Sequence, residues 1–148
     1  MGLIEKTGQI NITAELIEAI ASMDITKVAC LLAENGEYWI QNENNDIVLA
    51  SKVNYLKWMG DCFNKFLSAN RGGRTRLDYI ILKCLHCRTR DPVIIFENGK
   101  FPVSFKNSGQ KKECGLIVES ADNKIIRIAM CFLILKSEDP YIFERKCS

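Results

Sequence analysis

Two cysteines and the only histidine of the chain lie within five residues, in the stretch KCLHCRTRDP. Cys84 and Cys87 are three residues apart with His86 between them, a spacing that metal sites and redox-active dithiols both use. A structural zinc site needs about four ligands, and the chain has no second cysteine pair of this kind. A redox-active pair lies at the start of a helix, whereas these residues continue a run that is typical of a strand. We therefore interpret both cysteines as small apolar strand residues and expect no metal and no cofactor.

His86 is also the candidate for acid–base chemistry, because an imidazole exchanges its proton near neutral pH. Asp78 and Arg88 have the same parity as His86 along the predicted strand and therefore point to the same face. Eight residues of a strand span about 26 Å, so Asp78 cannot reach His86. Catalysis by His86 would need a carboxylate from another strand, and a structural histidine near a strand end is the interpretation we prefer.

Composition and charge narrow the class of protein. The 148 residues include 20 Lys and Arg against 18 Asp and Glu, a net charge of +2 that favours neither nucleic acid nor a membrane surface as partner. No apolar run approaches the roughly 18 residues of a membrane helix, and the first residues lack a secretory signal. Seven irregularly spaced cysteines suit a reducing compartment. We expect a cytoplasmic protein with a single domain over residues 1–148.

Five arginines fall within twenty residues and could form a phosphate-binding surface. A strand that begins near Arg76 would separate them between its two ends, whereas such a surface needs them on one face. We interpret them as solvated side chains and expect no nucleic-acid partner. The five are Arg71, Arg74, Arg76, Arg88 and Arg90.

The first third of the chain predicts two short helices. Thr13 is a candidate cap for the first helix and Asp24 for the second, and apolar residues recur at helical spacing after each. Gly36 occupies a position typical of the glycine that ends a helix. A hairpin is predicted next, from Glu37–Gln41 and Ile47–Ala50 across a polar turn.

A long helix follows, capped by Ser51 and spanning residues 52–69. The pattern then changes to strands. A helix-rich first half followed by a strand-rich second half predicts an α+β domain with an antiparallel sheet. Asn98-Gly99 and Asp122-Asn123 are candidate tight turns. Strands are predicted at about 76–89, 92–97, 100–106, 113–121 and 124–136.

Several aromatic residues could line a pocket for a small, mainly apolar ligand. We predict a lining of Tyr38, Tyr55, Trp58 and Phe132, with His86 as its polar member. The same aromatic residues serve equally well as plain core.

Two stretches carry a resemblance to a known superfamily. Glu15 to Ile40, ELIEAIASMDITKVACLLAENGEYWI, and Gly115 to Leu135, GLIVESADNKIIRIAMCFLIL, resemble the nuclear-transport-factor-two-like superfamily, which includes ketosteroid isomerase and the SnoaL-like polyketide cyclases. The resemblance implies a curved antiparallel sheet wrapped as a cone over the long helix, often open to an apolar pocket. It also implies a homodimer formed sheet to sheet, which agrees with the apolar character of both faces of Leu77–Cys87.

The catalytic positions of the isomerases are vacant in this chain. Those enzymes use a carboxylate base near the end of the first strand, a tyrosine from the first helix and a protonated aspartate from a late strand. The corresponding positions hold Ile40, Leu16 and Gly115. We therefore expect a binding domain for a small apolar molecule. Two alternatives stay open: a SnoaL-like or dehydratase-like enzyme that uses His86 with a carboxylate partner, and an assembly module without a ligand.

Overall fold

The computed structural model describes residues 11–69, 72–82, 92–103, 112–135 and 143–147 of the chain. Over these ranges the fold is α+β, with the predicted order of two short helices, a hairpin, a longer helix and a series of strands. The helices are α1 (Ile12–Ala21), α2 (Ile25–Leu31) and α3 (Lys52–Ala69). The strands are β1 (Leu32–Gln41), β2 (Ile47–Ala50), β3 (Tyr79–Leu82), β4 (Val93–Phe96), β5 (Lys112–Ala121), β6 (Lys124–Leu135) and β7 (Phe143–Cys147).

The residue before each helix has a side chain that accepts a hydrogen bond from a backbone N–H of the first turn. Asp24 and Ser51 cap α2 and α3 as predicted, each accepting from the N–H three residues later, at 3.1 and 3.2 Å. The prediction for α1 is wrong by two residues. Asn11, not Thr13, is the cap, and its Oδ1 accepts from the N–H of Ala14 at 3.1 Å.

The predicted role of Gly36 as a helix terminator is wrong. Helix α2 ends at Leu31, and Leu32 is already extended, with φ −83° and ψ 136°. Gly36 instead is the fifth residue of β1, which begins at Leu32, whereas the sequence pattern predicts a strand only from Glu37. The polar run Glu34–Gly36 resembles a break between elements but lies inside the strand. The change itself falls between Leu31 and Leu32, where no polar residue marks it, so the pattern alone could not locate it.

The sheet has the order β2-β1-β6-β5-β4-β3, and β7 also pairs with β6. Strand β1 runs parallel to β6, with Tyr38 opposite Ile128, whereas all the other pairs are antiparallel. The prediction of a wholly antiparallel sheet is therefore wrong, and the sheet is mixed. Because β1 and β6 lie far apart in the chain, no hairpin joins them, and local turn signals could not set their direction.

The first strand predicted after α3 begins later in the structure than the sequence pattern indicates. The strand expected from residue 76 begins at Tyr79 and is described as far as Leu82, and the rest of it lies outside the described residues.

The hairpin of β5 and β6 agrees closely with its prediction. Its turn residues Asp122 and Asn123 have φ of 52° and 63°, the left-handed values of a tight hairpin turn.

The strand predicted at 100–106 is wrong for its first four residues, and its remainder lies outside the described ranges. A 3-10 turn at Glu97–Gly99 follows β4, and its three residues all have positive φ. This left-handed turn reverses the chain and leaves Phe101 with a single bridge to Phe96. The segment Lys100–Pro102 thereby lies over α3 rather than continuing the sheet.

The central strands of the sheet are apolar and buried on both faces. The helices cover one face, where Tyr38, Phe96 and Leu116 join the main core. On the other face a smaller cluster is only 0–4% exposed within the single chain; it consists of Val93, Ile95, Ile117, Ala129 and Cys131. In the described part of the chain, no helix is both long and apolar enough to cross a membrane.

Candidate functional site

An open groove of about 1310 Å³ runs beside α3. The helix forms one wall, the turn between β1 and β2 forms part of the other, and Lys100–Pro102 completes it. The wall is one continuous face of the helix because its residues recur every three or four positions. They are Asn54, Lys57, Trp58, Asp61, Cys62, Lys65, Phe66 and Ala69.

The floor of the groove is apolar and continuous with the core. Phe101 stacks on Phe63 with ring centroids 5.9 Å apart and meets Phe66 edge to face at 6.4 Å. The Cys62 thiol lies 3.8 Å from the carbonyl oxygen of Pro102. Side chains of this floor therefore belong both to the groove and to the packing beneath it.

The rim of the groove is polar, and its charges nearly balance. Three lysines face two carboxylates, and amide side chains make up most of the remainder. The tip of the β1–β2 turn is fixed because Asn42 Oδ1 accepts from the N–H groups of Asn44 and Asp46, both at 2.9 Å. The charged residues are Lys57, Lys65, Lys100, Glu43 and Asp61.

Behind this floor lie two fully buried tyrosines. Tyr38 on β1 and Tyr55 on α3 have ring centroids 5.4 Å apart, and the Trp58 ring lies 5.8 Å from that of Tyr55. The Tyr38 hydroxyl lies 2.7 and 2.8 Å from the carbonyl oxygens of Ala33 and Ile125, so its proton has two acceptors. The Tyr55 hydroxyl has no hydrogen-bond partner within the described structure.

Burial keeps the polar groups of this interior in their neutral forms. It raises the pKa of Tyr38 to about 12 and raises that of Tyr55 well above its usual value. It also raises the pKa of the Cys62 thiol to about 12 and that of Cys114 further. At neutral pH these tyrosines are hydrogen-bond donors and acceptors, and the thiols are protonated and poor nucleophiles.

The structure brings together three of the five predicted pocket residues. Tyr38, Tyr55 and Trp58 form a chain of ring contacts, and Trp58 also lines the groove. Phe132 is half-buried and packs against the main core. His86 lies outside the described residues together with both cysteines of KCLHC, so its predicted role and that of the cysteine pair stay predictions.

Sequence patterns missed most of the groove. The turn residues 42–45 have the composition of an ordinary polar loop, and Phe66 and Phe101 that of core. Only tertiary packing places these segments opposite each other, so no local signal marks them as one surface. Among the residues with described positions, no group of three His, Cys, Asp or Glu is arranged to hold a metal ion.

The positions that correspond to the isomerase machinery offer no acid or base. Leu16 is fully buried in the main core, and Ile40 lines the groove. A Cβ atom on Gly115 would lie 2.3 Å from Cγ1 of Val93, so this position has no room for a side chain. The residues before and after Gly115, Cys114 and Leu116, face the helices, and neither carries a carboxylate.

The described loop arginines are held by acidic partners. Arg74 forms a bidentate hydrogen bond with Glu97 at 2.9 and 2.8 Å, and Arg76 pairs with Glu18. Arg71, Arg88 and Arg90 lie outside the described residues. These pairs place Arg74 and Arg76 beside carboxylates, and the absence of a nucleic-acid partner stays a prediction.

No family model and no curated protein matches the chain. A solved structure with a similar fold is that of a protein from Kribbella flavida DSM 17836, provisionally assigned as a ketosteroid isomerase. The two chains share 10% sequence identity, and the alignment covers 88% of this chain and 80% of that chain with a TM-score of 0.43. Function therefore has to be argued from this chain's own residues.

Proposed function

We propose that this chain is a binding domain for a small, mainly apolar and uncharged molecule, which enters through the groove beside α3. The architecture that we propose is nuclear-transport-factor-two-like, with the sheet curving as a cone around α3. The observed order of elements and the packing of α3 on β1 support this architecture. The observation that carries the proposal is the aromatic floor formed by Trp58, Phe66 and Phe101 between polar rims.

The chemistry of the groove suits such a ligand. Small-molecule sites are typically apolar with a few polar groups that fix orientation, which is the arrangement of this floor and rim. Three cations against two anions leave little net charge to select an ionic ligand. The floor also leads to the tyrosine pair Tyr38 and Tyr55, which the sequence predicts as pocket lining.

We propose as well that two copies associate through strand β3. Within the described chain β3 pairs with β4 alone, so no described strand covers its other edge. Tyr79, Ile80 and Ile81 are 37%, 53% and 49% exposed, which leaves apolar side chains on both faces of an edge strand. Such an edge favours strand pairing, and a two-fold axis would join it to its own copy. Sedimentation of the purified protein tests this association directly.

A reducing compartment such as the cytoplasm is part of the proposal. Cys30, Cys62 and Cys114 carry free thiols. This state supports a location in which thiols stay reduced.

Titration with N-phenyl-1-naphthylamine, an uncharged apolar dye that fluoresces when it leaves water, tests ligand binding. We expect saturable binding by the native chain and about tenfold weaker binding by Trp58→Ala, since the indole supplies much of the apolar floor. Val53→Ala is the matched control, because Val53 is 72% exposed on the same helix and does not line the groove.

Circular dichroism of each variant checks that the fold is intact. A native chain that shows no saturable dye binding would contradict the proposal and favour an assembly module. Equal losses in Trp58→Ala and Val53→Ala would place the dye elsewhere on the molecule.

A further inference from the structure

Two buried tyrosines have ring centroids 5.4 Å apart, and their hydroxyls differ in one respect. The Tyr38 hydroxyl has two carbonyl acceptors, whereas that of Tyr55 has none among the residues that the structure describes. Tyr55 is fully buried, so bulk water does not reach it. A buried donor without an acceptor destabilises a fold, and each such group calls for a specific explanation.

The described groups that influence the pKa of Tyr55 are neutral. The groups that interact with it electrostatically are the thiols of Cys62 and Cys114 and the hydroxyl of Tyr38. No charged side chain is buried in the described part of the protein. A neutral donor in such a place can bind a neutral acceptor, whereas a carboxylate would lose its hydration without a cation to replace it.

Tyr55 lies directly behind the groove. Its ring contacts that of Trp58, and Cys62 follows two helical turns later on the same face of α3. Both of these neighbours line the groove. Among the described residues, the Cys62 thiol has one hydrogen-bond contact, at 3.8 Å to the Pro102 carbonyl oxygen, and a thiol is a weak donor. Displacement of this contact is the route by which we expect a ligand group to approach the Tyr55 hydroxyl.

We propose that the Tyr55 hydroxyl donates a hydrogen bond to a carbonyl or ether oxygen of the ligand. The inference rests on the proposed function, because it names the chemical group that the bound molecule must carry. Trp58 and Phe66 contact the apolar body of the ligand, and Tyr55 selects ligands with a neutral oxygen at the buried end. Tyr55 thus determines specificity, while the aromatic floor supplies general affinity.

A pair of fluorescent naphthalenes tests this selection. The first, 6-propionyl-2-(dimethylamino)naphthalene, is an uncharged ketone whose emission shifts when its carbonyl accepts a hydrogen bond. The second, 2-(dimethylamino)naphthalene, has the same rings without the ketone. Each dye is titrated into the native chain and Tyr55→Phe. The melting temperature is measured without dye for these two proteins and for Tyr38→Phe, which serves as the stability reference.

We expect Tyr55→Phe to bind the ketone about tenfold more weakly than the native chain does, with loss of the emission shift. The ketone-free dye should bind both proteins equally. The melting temperature should fall in Tyr38→Phe, which loses a satisfied hydrogen bond, and should not fall in Tyr55→Phe.

The outcomes separate this inference from the proposed function. Equal ketone binding by the native chain and Tyr55→Phe would overturn the selection by Tyr55 and leave the binding domain standing. A melting temperature that falls as far in Tyr55→Phe as in Tyr38→Phe would also overturn it, since the hydroxyl would then have a structural partner. A native chain that binds neither dye would contradict both proposals.

Discussion

Gly36 shows how a single residue decides the packing at the centre of this domain. A Cβ atom at this position would lie 2.2 Å from the Tyr38 hydroxyl oxygen and 2.9 Å from the carbonyl oxygen of Ile126. Its φ lies outside the left-handed region, so the requirement is for space rather than for backbone freedom. Because Gly36 has no side chain, the Tyr38 ring can lie against it and place its hydroxyl beside the carbonyl oxygens of Ala33 and Ile125.

Replacement of Gly36 by alanine should therefore lower the free energy of unfolding by about 1–3 kcal/mol, the usual range for overpacking in a core. Urea denaturation followed by circular dichroism measures the change. Gly60→Ala is the control: its Cβ would have its nearest neighbour at 3.9 Å, and alanine favours the helix interior. That variant should be as stable as the native chain or more so, and a stable Gly36→Ala would contradict the packing argument.

At the scale of elements, one carboxylate joins the loop before β3 to the turn after β4. Glu97 accepts two hydrogen bonds from Arg74 and one, at 2.6 Å, from the backbone N–H of Asp78. Arg74 also lies over the Phe66 ring, 5.6 Å from its centroid. The side-chain hydrogen bond from Arg74 is the largest influence on Glu97 and holds the pKa of that carboxyl below its usual value.

The depressed pKa of Glu97 predicts a loss of stability in acid. A group whose folded pKa lies below its unfolded value stabilises the fold above the unfolded pKa, about 4.5, and loses that contribution as the pH falls through the folded pKa. At pH 7, Glu97→Gln should lower the free energy of unfolding by about 1 kcal/mol. The difference from the native chain should shrink as the pH falls below about 4.5.

Denaturation curves from pH 3 to pH 7 measure this difference. Glu34→Gln is the control. The Glu34 carboxylate also forms an ion pair, with Lys52 at 2.9 Å, but its side chain is 82% exposed. An exposed ion pair contributes little, so this variant should follow the native curve. A Glu97→Gln difference that stays constant across the pH range would contradict the assignment.

For the whole molecule, the two ends of the strand order differ in character. Strand β3 at one end exposes three consecutive apolar residues, Tyr79, Ile80 and Ile81, whereas β2 at the other end exposes Leu49 alone among its large apolar residues. The apolar cluster on the second face of the sheet is already buried within one chain. This burial favours β3, rather than the centre of that face, as the surface for the proposed second copy.

Ile80→Lys should weaken self-association by at least about tenfold, because a lysine in the paired strand would be buried without a partner. Sedimentation velocity over a range of concentrations measures the effect, and the native chain should give a species of twice the chain mass. Leu49→Lys is the matched control, since Leu49 is 56% exposed on the opposite edge strand. A native monomer at all concentrations, or an unchanged dimer in Ile80→Lys, would contradict this interface.

The sequence by itself determined the elements and their order, because these depend on local signals. Apolar spacing predicts all three helices, and the caps at Asp24 and Ser51 are where the pattern indicates. Asp122-Asn123 predicts the hairpin of β5 and β6, since both residues tolerate the left-handed backbone that a tight turn needs. The α+β class follows from the order of these elements.

Only the tertiary structure decided what these elements form together. The parallel pairing of β1 with β6 joins residues about ninety positions apart, and the left-handed turn at Glu97–Gly99 directs Phe101 onto α3 instead of into the sheet. The groove exists because these distant segments meet. The Tyr55 hydroxyl has no partner among the described residues, and this too depends on contacts from several elements. A local sequence pattern does not specify contacts between residues that are far apart along the chain.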